Sequence, residues 1–383
     1  MHCAAGWRVW SFVKITTDAG IIGYSECTDS HGSAHGVAAV IADFGRLLVG
    51  KDPLAFERRR QDLVAVTRQS PGGIVQKAIG GVENALLDIL GKHANLPIYA
   101  LFGGPIRDRV PLYWSHWGTT RVRAASCANV KPIKDLEQVA ELVAETKEQG
   151  FSALKTNVIL FDPDARVYMP AFGSYSGAPE LNASREIIAG TVAYLSAIRA
   201  AAGRGFDLML DAGLNFRADG YIRMARALET IDLTWLEIDA YDPNALADIR
   251  SKSPMSICSG EDLYTARQYR PFFECRAMDN VNVDVVWNGF SESKRIANLA
   301  DLYELNVSPH NHYSHFATFM SAQFCACIPN CRSMEIDMDD VPWKDDIVTK
   351  RPSIEKGDII VPDGPGWGVD LNEKAIRAHP LNS

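Results

Sequence analysis

The spacing of apolar residues along the chain follows two different patterns, which meet near residue 110. In the first part, two apolar runs, residues 12–15 and 21–26, flank a turn that contains Asp18 and Gly20, and this arrangement predicts a β-hairpin. Further along, five apolar residues recur at steps of four, three, four and three: Val75, Ile79, Val82, Leu86 and Ile89. That spacing places them on one face of a helix over residues 74–93. The first part therefore predicts a sheet followed by helices.

From residue 110 onward, short apolar runs alternate with helical segments. The predicted strands cover residues 110–115, 153–156, 207–211, 233–237, 257–260, 282–286, 306–309 and 333–336. The predicted helices include residues 136–149, 184–202, 291–305 and 314–327. Strands and helices that alternate in this way are typical of a (β/α)-barrel. An open doubly wound sheet is disfavoured, because no GxGxxG motif opens a helix.

These patterns predict an α/β protein of three regions. Residues 1–107 are expected to form an α+β capping domain, and residues 108–350 a (β/α)-barrel of modified TIM type. Residues 351–383, which are rich in Pro and Gly, are expected to pack back on the cap. The long connection over residues 157–184 follows a strand, so it is either a lid on the catalytic face of the barrel or an unstructured loop.

Composition and charge exclude several classes of partner. The chain of 383 residues carries 39 basic against 47 acidic side chains, and the basic residues are scattered, so nucleic acid and anionic membranes are poor partners. No apolar stretch reaches the length of about 18 residues that a membrane span needs. The eight cysteines contain no CxxC pair, which favours buried thiols and a reduced, cytoplasmic setting over a metal site. We expect a cytoplasmic protein that acts on a small molecule.

Charged residues recur at the ends of the predicted strands. The residues are Lys155, Asp211, Glu237, Glu261, Asp284, His310 and Glu335. Because the carboxyl ends of all strands meet at one rim of a parallel barrel, these side chains are expected to converge in one mouth. Asp211, Glu237 and Glu261 come from consecutive strands, and three carboxylates suit Mg²⁺, which prefers oxygen ligands. Any one of them alone is better explained as a solvated acid or a helix cap, but together they favour a metal site.

Short motifs along nearly the whole chain add a family resemblance. The stretch AIGGVENALLDILGKHANLPIYALFGG at residues 78–104 is followed in order by ALKTN, LMLDAG, WLEID, CSGED, VNVDVV, VSPHN and SMEID. This series resembles the enolase superfamily, and in particular its mandelate racemase subgroup. The resemblance implies a capped barrel, a homo-oligomer, and Mg²⁺-assisted removal of the proton α to a substrate carboxylate.

The resemblance also implies a role for each residue at the rim. Asp211, Glu237 and Glu261 would be the Mg²⁺ ligands, His310 a general acid/base oriented by Asp284, Lys155 the group on the opposite rim, and Glu335 a donor to the substrate carboxylate. An imidazole titrates near neutral pH, and a carboxylate partner favours its protonated form. Glu335 can donate a hydrogen bond only if its pKa is raised. His312 is the alternative base, because strand boundaries read from sequence are imprecise.

Departures from the family pattern bear on the reaction. Many members carry Lys-x-Lys after the second barrel strand, whereas this chain has Asn157 at the second position. An amide cannot accept the α-proton at neutral pH, so a two-base racemase is disfavoured. Acid-sugar dehydratases of the subgroup include enzymes with Lys-x-Asn. Gly213 and Asp239 also depart from the residues common in the family.

The main hypothesis is therefore a Mg²⁺-dependent dehydratase of a sugar-derived 2-hydroxy acid. An epimerase, a racemase or a lactone cycloisomerase is the alternative on the same scaffold. A metallohydrolase, suggested by the pair His310 and His312, and a non-catalytic binding protein are more distant alternatives.

Cap residues are expected to select the substrate. The candidates in the cap are residues 26–31 and Arg68, and outside the cap His116 and Trp117 after the first barrel strand and Tyr175 in the long connection could also line the site. Polar residues in a loop over the barrel mouth suit a polyhydroxylated acid, although an exposed loop explains residues 26–31 equally well.

Overall fold

The N-terminal region is a three-stranded antiparallel sheet covered by helices. A computed structural model describes residues 1–29, 33–170 and 181–381. The strands are His2–Ala5, Arg8–Thr16 and Ile22–Glu26, in that order across the sheet. The helices are Ala34–Leu48, Phe56–Val66, Gly73–Ala94 and Ile98–Leu101. The predicted hairpin is confirmed, and the helix predicted over residues 74–93 is Gly73–Ala94.

Eight parallel strands form the barrel, and we number them barrel strands 1 to 8. They are Arg109–Trp114, Ala153–Asn157, Asp207–Asp211, Trp235–Glu237, Ile257–Ser259, Asn280–Val281, Asn306–Val307 and Met334–Ile336. Barrel strand 8 pairs with barrel strand 1, with Glu335 beside Tyr113. A parallel bridge between Val307 and Cys331 joins barrel strand 7 to the approach to barrel strand 8. The sheet is thus closed, as the predicted (β/α)-barrel requires.

The other elements surround the barrel. The helices are Thr119–Arg123, Ala125–Ala128, Leu136–Glu148, Arg185–Ala202, Ala218–Ala227, Pro243–Lys252, Thr265–Glu274, Val285–Asn288, Phe290–Leu302, His315–Ala326 and Glu373–Ala378, with short 3₁₀ turns at Glu229–Ile231 and Lys344–Ile347. Two small hairpins pair Ile159–Leu160 with Arg166–Val167 and Ile354–Glu355 with Asp358–Ile360. Within the described ranges, no helix is both long enough and apolar enough to cross a membrane.

Barrel strand 6 differs from its prediction. A strand over residues 282–286 was expected to contain Asp284, but the strand ends at Val281 and Asp284 instead caps the helix Val285–Asn288. Its carboxylate accepts a hydrogen bond from the backbone N–H of Trp287 at 2.7 Å. The reason is that an Asp side chain satisfies a free helix N–H better than it fits a strand. Asp284 still lies beside His310 through a parallel bridge.

The cap helix Gly73–Ala94 lies directly against this turn of the barrel. A Cβ atom at Gly80 would stand 2.7 Å from the carbonyl oxygen of Trp287, so only glycine allows the approach. Asn84 then donates to the carbonyl of Val285 at 3.0 Å and accepts from the N–H of Phe290 at 2.8 Å. The cap is therefore fixed to the part of the barrel that holds Asp284.

The C-terminal region contacts both other regions. Asp358–Ile360 pairs antiparallel with barrel strand 1, and the indole N–H of Trp367 donates to the carbonyl of Tyr24 in the cap at 3.0 Å. The domain boundaries at residues 107 and 350 stay a prediction. The central part of the 157–184 connection, including Tyr175, lies outside the described residues, so the lid hypothesis also stays a prediction.

We predict that Asp88→Ala destabilises the protein by about 2–5 kcal/mol. The buried Asp88 carboxylate accepts the backbone N–H groups of Tyr24 at 2.8 Å and Trp367 at 3.1 Å, and it pairs with Lys92 at 2.7 Å. Alanine leaves both N–H groups without an acceptor and removes one of the three acceptors of the Lys92 ammonium. Chemical denaturation measures the loss. The exposed Asp43 on another cap helix is the control, since Asp43→Ala should change the unfolding free energy by less than about 0.5 kcal/mol; equal losses would contradict the prediction.

Candidate active site

A cavity of about 230 Å³ lies at the carboxyl ends of the barrel strands. The cap contributes Asp29 and Lys77, and the rest of the lining is His116, Lys155, Met169, Asp211, Gly213, Glu261, Asp262, Trp287, His310, His312 and Glu335. Five of the predicted site residues thus share one cavity. Glu237, Asp284 and Asn157 are buried and bond to lining residues from behind. The structure therefore gathers the predicted rim residues in one place.

Asp211 and Glu237 are neighbours in register on barrel strands 3 and 4. Asp211 accepts the N–H of Gly213 at 2.9 Å and the side-chain amide of Asn157 at 3.0 Å. Glu237 accepts from Lys155 at 2.7 Å and from the amide of Asn282 at 2.9 Å. Each carboxylate is thus oriented by a fixed donor.

Negative charge accumulates around Glu237 and Glu261. Burial and the nearby Asp211 and Glu335 raise the pKa of Glu237 to about 7, against the lowering influence of Lys155. Burial, Asp262 and Asp211 raise the pKa of Glu261 well above its usual value, against His310. Crowded carboxylates resist ionisation in this way unless a cation is placed among them.

Asp239 is a second buried acid whose surroundings suit a cation nearby. It is buried, and its Oδ1 atom has no hydrogen-bond partner among the described residues. Burial and the acids Glu261 and Asp262 raise its pKa well above the usual value. Buried polar oxygens normally have a partner. The donor set of hard oxygens, in excess of nearby positive charge, therefore suits Mg²⁺.

The carboxylates are not already arranged as a ligand cluster. Within residues 1–29, 33–170 and 181–381, no three His, Cys, Asp or Glu side chains are grouped closely enough to hold a metal. Glu237 faces Lys155 and Asn282 instead. An ion held by all three predicted ligands would share Glu237 with Lys155 and Asn282 or replace them.

His310 forms a hydrogen-bonded pair with Asp284. Nδ1 of His310 lies 2.6 Å from Oδ2 of Asp284, and the hydroxyl of Tyr313 donates to the same oxygen at 2.5 Å. Nε2 of His310 faces Nδ1 of His312 at 2.7 Å and Oε2 of Glu261 at 3.5 Å. Burial alone would lower the pKa of His310, but Glu261 and Asp284 raise it to about 10. A cation at Glu261 would oppose the larger of these two raising effects.

Lys155 and Glu335 lie together at the bottom of the cavity. Their Nζ and Oε1 atoms are 3.0 Å apart. Burial would lower the pKa of Lys155, but Glu237 and Glu335 raise it well above its usual value. Burial would raise the pKa of Glu335, but Lys155 and His310 lower it to about 2. Glu335 accepts the N–H of Asn311 at 2.6 Å. The donor role that the family resemblance implies for Glu335 would require a protonated carboxyl and stays a prediction.

The cap candidates divide into two groups. Glu26 faces away from the cavity and accepts the hydroxyl of Ser314, next to the helix His315–Ala326, at 2.5 Å. Arg68 is exposed, and Trp117 is buried with its indole N–H on Thr146. Asp29 and His116 do line the cavity. Residues 30–32 and Tyr175 lie outside the described residues.

Sequence reasoning missed Lys77 and Trp287. The ammonium of Lys77 lies 3.7 Å from the centre of the Trp287 ring and forms an ion pair with Asp29. The Trp287 ring in turn packs against His310 at 5.3 Å between centroids. A signal was present, because Lys77, Gly80 and Asn84 interrupt the apolar pattern at helical spacing and mark the face turned to the barrel.

Comparisons with known proteins agree with this architecture. A family model described as "Mandelate racemase / muconate lactonizing enzyme, N-terminal domain" matches residues 6–103. A second, described as "Enolase C-terminal domain-like", matches residues 138–375, which is more than half of the chain. The chain belongs to the enolase superfamily. The predicted family and fold class are thereby confirmed.

Individual members of the superfamily differ in their named reactions. A D-xylonate dehydratase of Haloferax volcanii is 30% identical over 377 residues, which cover 97% of this chain and 85% of that protein. A D-galactarolactone cycloisomerase of Agrobacterium fabrum is 26% identical over 387 residues, which cover 96% and 90%. A Burkholderia xenovorans structure bound to magnesium and fumarate, provisionally named an L-alanine-DL-glutamate epimerase, is 42% identical with a TM-score of 0.97 and covers 100% of this chain and 95% of that one.

We predict that Glu261→Gln weakens Mg²⁺ binding at least about tenfold, because the amide keeps the shape but removes the charge that the metal needs. Isothermal titration calorimetry on the metal-stripped protein measures this without any substrate. The control is Glu274→Gln on the surface helix Thr265–Glu274, which should bind Mg²⁺ as the wild type does. Unchanged affinity in Glu261→Gln would remove Glu261 from the ligand set.

Proposed function

We propose that this protein is a Mg²⁺-dependent dehydratase of a sugar-derived 2-hydroxy acid, an aldonate or aldarate, and that it forms a 2-keto-3-deoxy acid. The observation that carries the proposal is the pair His310–Asp284, which lines one cavity together with Lys155 and the acids Asp211 and Glu261. Such a set suits removal of a proton next to a carboxylate. The dehydratase relative from Haloferax volcanii supports this reaction class.

The α-proton is the first chemical obstacle. Its removal places a second negative charge next to a carboxylate, so positive charge must stand beside that group. Mg²⁺, which superfamily members generally use, would be held by Asp211, Glu237 and Glu261 and would supply that charge when bound. Lys155 supplies a buried ammonium next to Glu237. His310 accepts the proton at Nε2, while Asp284 holds Nδ1 and stabilises the imidazolium that results.

Asn157 argues against a second base at the position where many relatives have lysine. Its Oδ1 accepts the hydroxyl of Thr119 at 2.8 Å, and its Nδ2 donates to Asp211 at 3.0 Å. The amide thus positions a proposed metal ligand and has no proton-accepting atom for the substrate. This arrangement favours a one-base reaction.

The alternative is an epimerase or a cycloisomerase, which shares the first proton transfer but releases no water. The relatives from Burkholderia xenovorans and Agrobacterium fabrum keep this alternative open. A metallohydrolase site is less consistent with the geometry, because the rings of His310 and His312 bond to each other through Nε2 and Nδ1. The homo-oligomer and the cytoplasmic location stay predictions.

The cap indicates the substrate class. Asp29 and Lys77 face the cavity as an acceptor and a donor, and hydroxyl groups can bond to both. A polyhydroxylated chain that extends from the reacting carbons toward the cap therefore suits the cavity better than an apolar one.

We predict that His310→Asn lowers dehydration at least about a hundredfold, because it removes the group that takes the α-proton. Mg²⁺ affinity should not fall by more than about threefold, since His310 is no proposed ligand and its loss removes no negative charge. A screen of aldonic and aldaric acids with Mg²⁺, read by NMR for keto products, provides the assay. Loss of water from an acid supports the dehydratase; entry of solvent deuterium at C2 without loss of water supports the alternative. Full activity of His310→Asn would refute its role.

We also predict that Lys77→Met raises KM for five- and six-carbon acids about tenfold or more, because methionine keeps the packing on Trp287 but loses the hydrogen-bond donor. The effect on glycerate, which has no carbons to reach Lys77, should be small. Steady-state kinetics with both acids measure the difference. Equal effects on the two would show that Lys77 acts through the structure of the site rather than through the distal hydroxyls.

A further inference from the structure

His116 occupies a strained position at the rim of the cavity. It follows barrel strand 1 with a φ of 46°, in the left-handed backbone region that residues with a side chain rarely adopt. The turn is held because the carbonyl of His116 accepts the N–H of Thr119 at 2.9 Å. Strain of this kind persists where the surrounding structure enforces it, and it is concentrated at functional sites. The side chain is 15% exposed and lines the cavity.

A buried carboxylate holds the His116 ring in the way that Asp284 holds His310. Nδ1 of His116 lies 3.0 Å from Oδ1 of Asp337, and Arg8 donates to the other oxygen of Asp337 at 3.0 Å. Burial would raise the pKa of Asp337, but His116 and Arg8 hold it well below its usual range. Asp337 is therefore an ionised partner that fixes the orientation of the His116 ring.

The other ring nitrogen of His116 is available to a ligand. In the part of the chain that the structure describes, Nε2 of His116 makes no hydrogen bond. The ring lies 5.4 Å from that of His312, which lies 4.5 Å from that of His310. Barrel strands 7, 8 and 1 are consecutive around the closed sheet, so the two His–Asp pairs stand on either side of Glu335.

We propose that His116 is a second acid/base residue of this site and protonates the departing β-hydroxyl, while His310 removes the α-proton. This inference rests on the proposed dehydratase function and deepens it. The C2–H bond breaks and its proton goes to Nε2 of His310. The C3–O bond then breaks, its electron pair stays on oxygen, and the proton from Nε2 of His116 completes a water molecule. The resulting enol takes up a proton at C3 to give the 2-keto-3-deoxy acid, and solvent returns both imidazoles to their starting states.

The test is His116→Asn, because Asn tolerates the left-handed backbone and keeps a donor for Asp337. Three rates are compared: loss of water from the aldonate, entry of solvent deuterium at C2, and loss of fluoride from the 3-deoxy-3-fluoro analogue. Fluoride leaves without being protonated, so the fluoro analogue needs no general acid for the leaving group but still needs every other residue of the site. We expect water loss to fall at least about a hundredfold, with deuterium entry and fluoride loss within about fivefold of wild type.

The control is His315→Asn, which removes another buried imidazole paired with an aspartate, Asp345, outside the cavity. A merely structural role predicts that all three rates change together, as they should in this control. Retained water loss in His116→Asn, or an equal loss of all three rates, would overturn the proposal. If the wild type exchanges deuterium but releases no water, the dehydratase function itself is refuted, and with it the role of His116 as the acid for the β-hydroxyl. A failure confined to the variant would overturn the role of His116 alone.

Discussion

Buried charge is the constraint on which this active site depends. An ion moved from water into the protein interior costs several kcal/mol unless an opposite charge and hydrogen bonds compensate it. The ammonium of Lys155 compensates the charges of Glu237 and Glu335. Arg8 compensates the charge of Asp337, which also bonds to His116. Burial and the neighbouring acids raise the pKa values of Glu261 and Asp239. A divalent cation held there would offset this crowding of negative charge and would also affect the charge state of His310.

The cap and the barrel share one hydrogen-bonded corner around Trp287. The indole N–H donates to the carbonyl of Thr28 in the cap at 2.8 Å, while the backbone N–H of the same residue donates to Asp284. Lys77 lies over one face of the ring, and His310 packs against it. The cap residues that face the cavity are therefore connected through Trp287 to His310, the proposed base. A capped barrel can in this way select a substrate with one region and act on it with another.

The sequence was sufficient for the barrel and for the convergence of its rim, because one charged residue per strand needs only topology to meet its neighbours. It was insufficient to predict which way individual side chains point and which residues they bond to. Glu26 and Asp29 are three residues apart, yet one bonds to Ser314 and the other lines the cavity. His116 forms a hydrogen bond with Asp337, which lies 221 positions away in the sequence. Such pairs depend on backbone conformation and rotamers, which no short motif encodes; the strand limit at Asp284 was wrong because capping overrode the apolar pattern.

Stereochemistry gives a further reason to prefer loss of water over epimerisation. Epimerisation must return a proton to the face of C2 opposite to the one it left. Asn157 cannot deliver it, and a cavity of about 230 Å³ leaves a five- or six-carbon acid little room to turn over. Loss of the β-hydroxyl has no such requirement, since C2 becomes trigonal and its configuration disappears. The reaction needs instead a proton for the departing oxygen on C3, the carbon next to C2. We propose that His116, which follows barrel strand 1 and is held by its own carboxylate, supplies that proton.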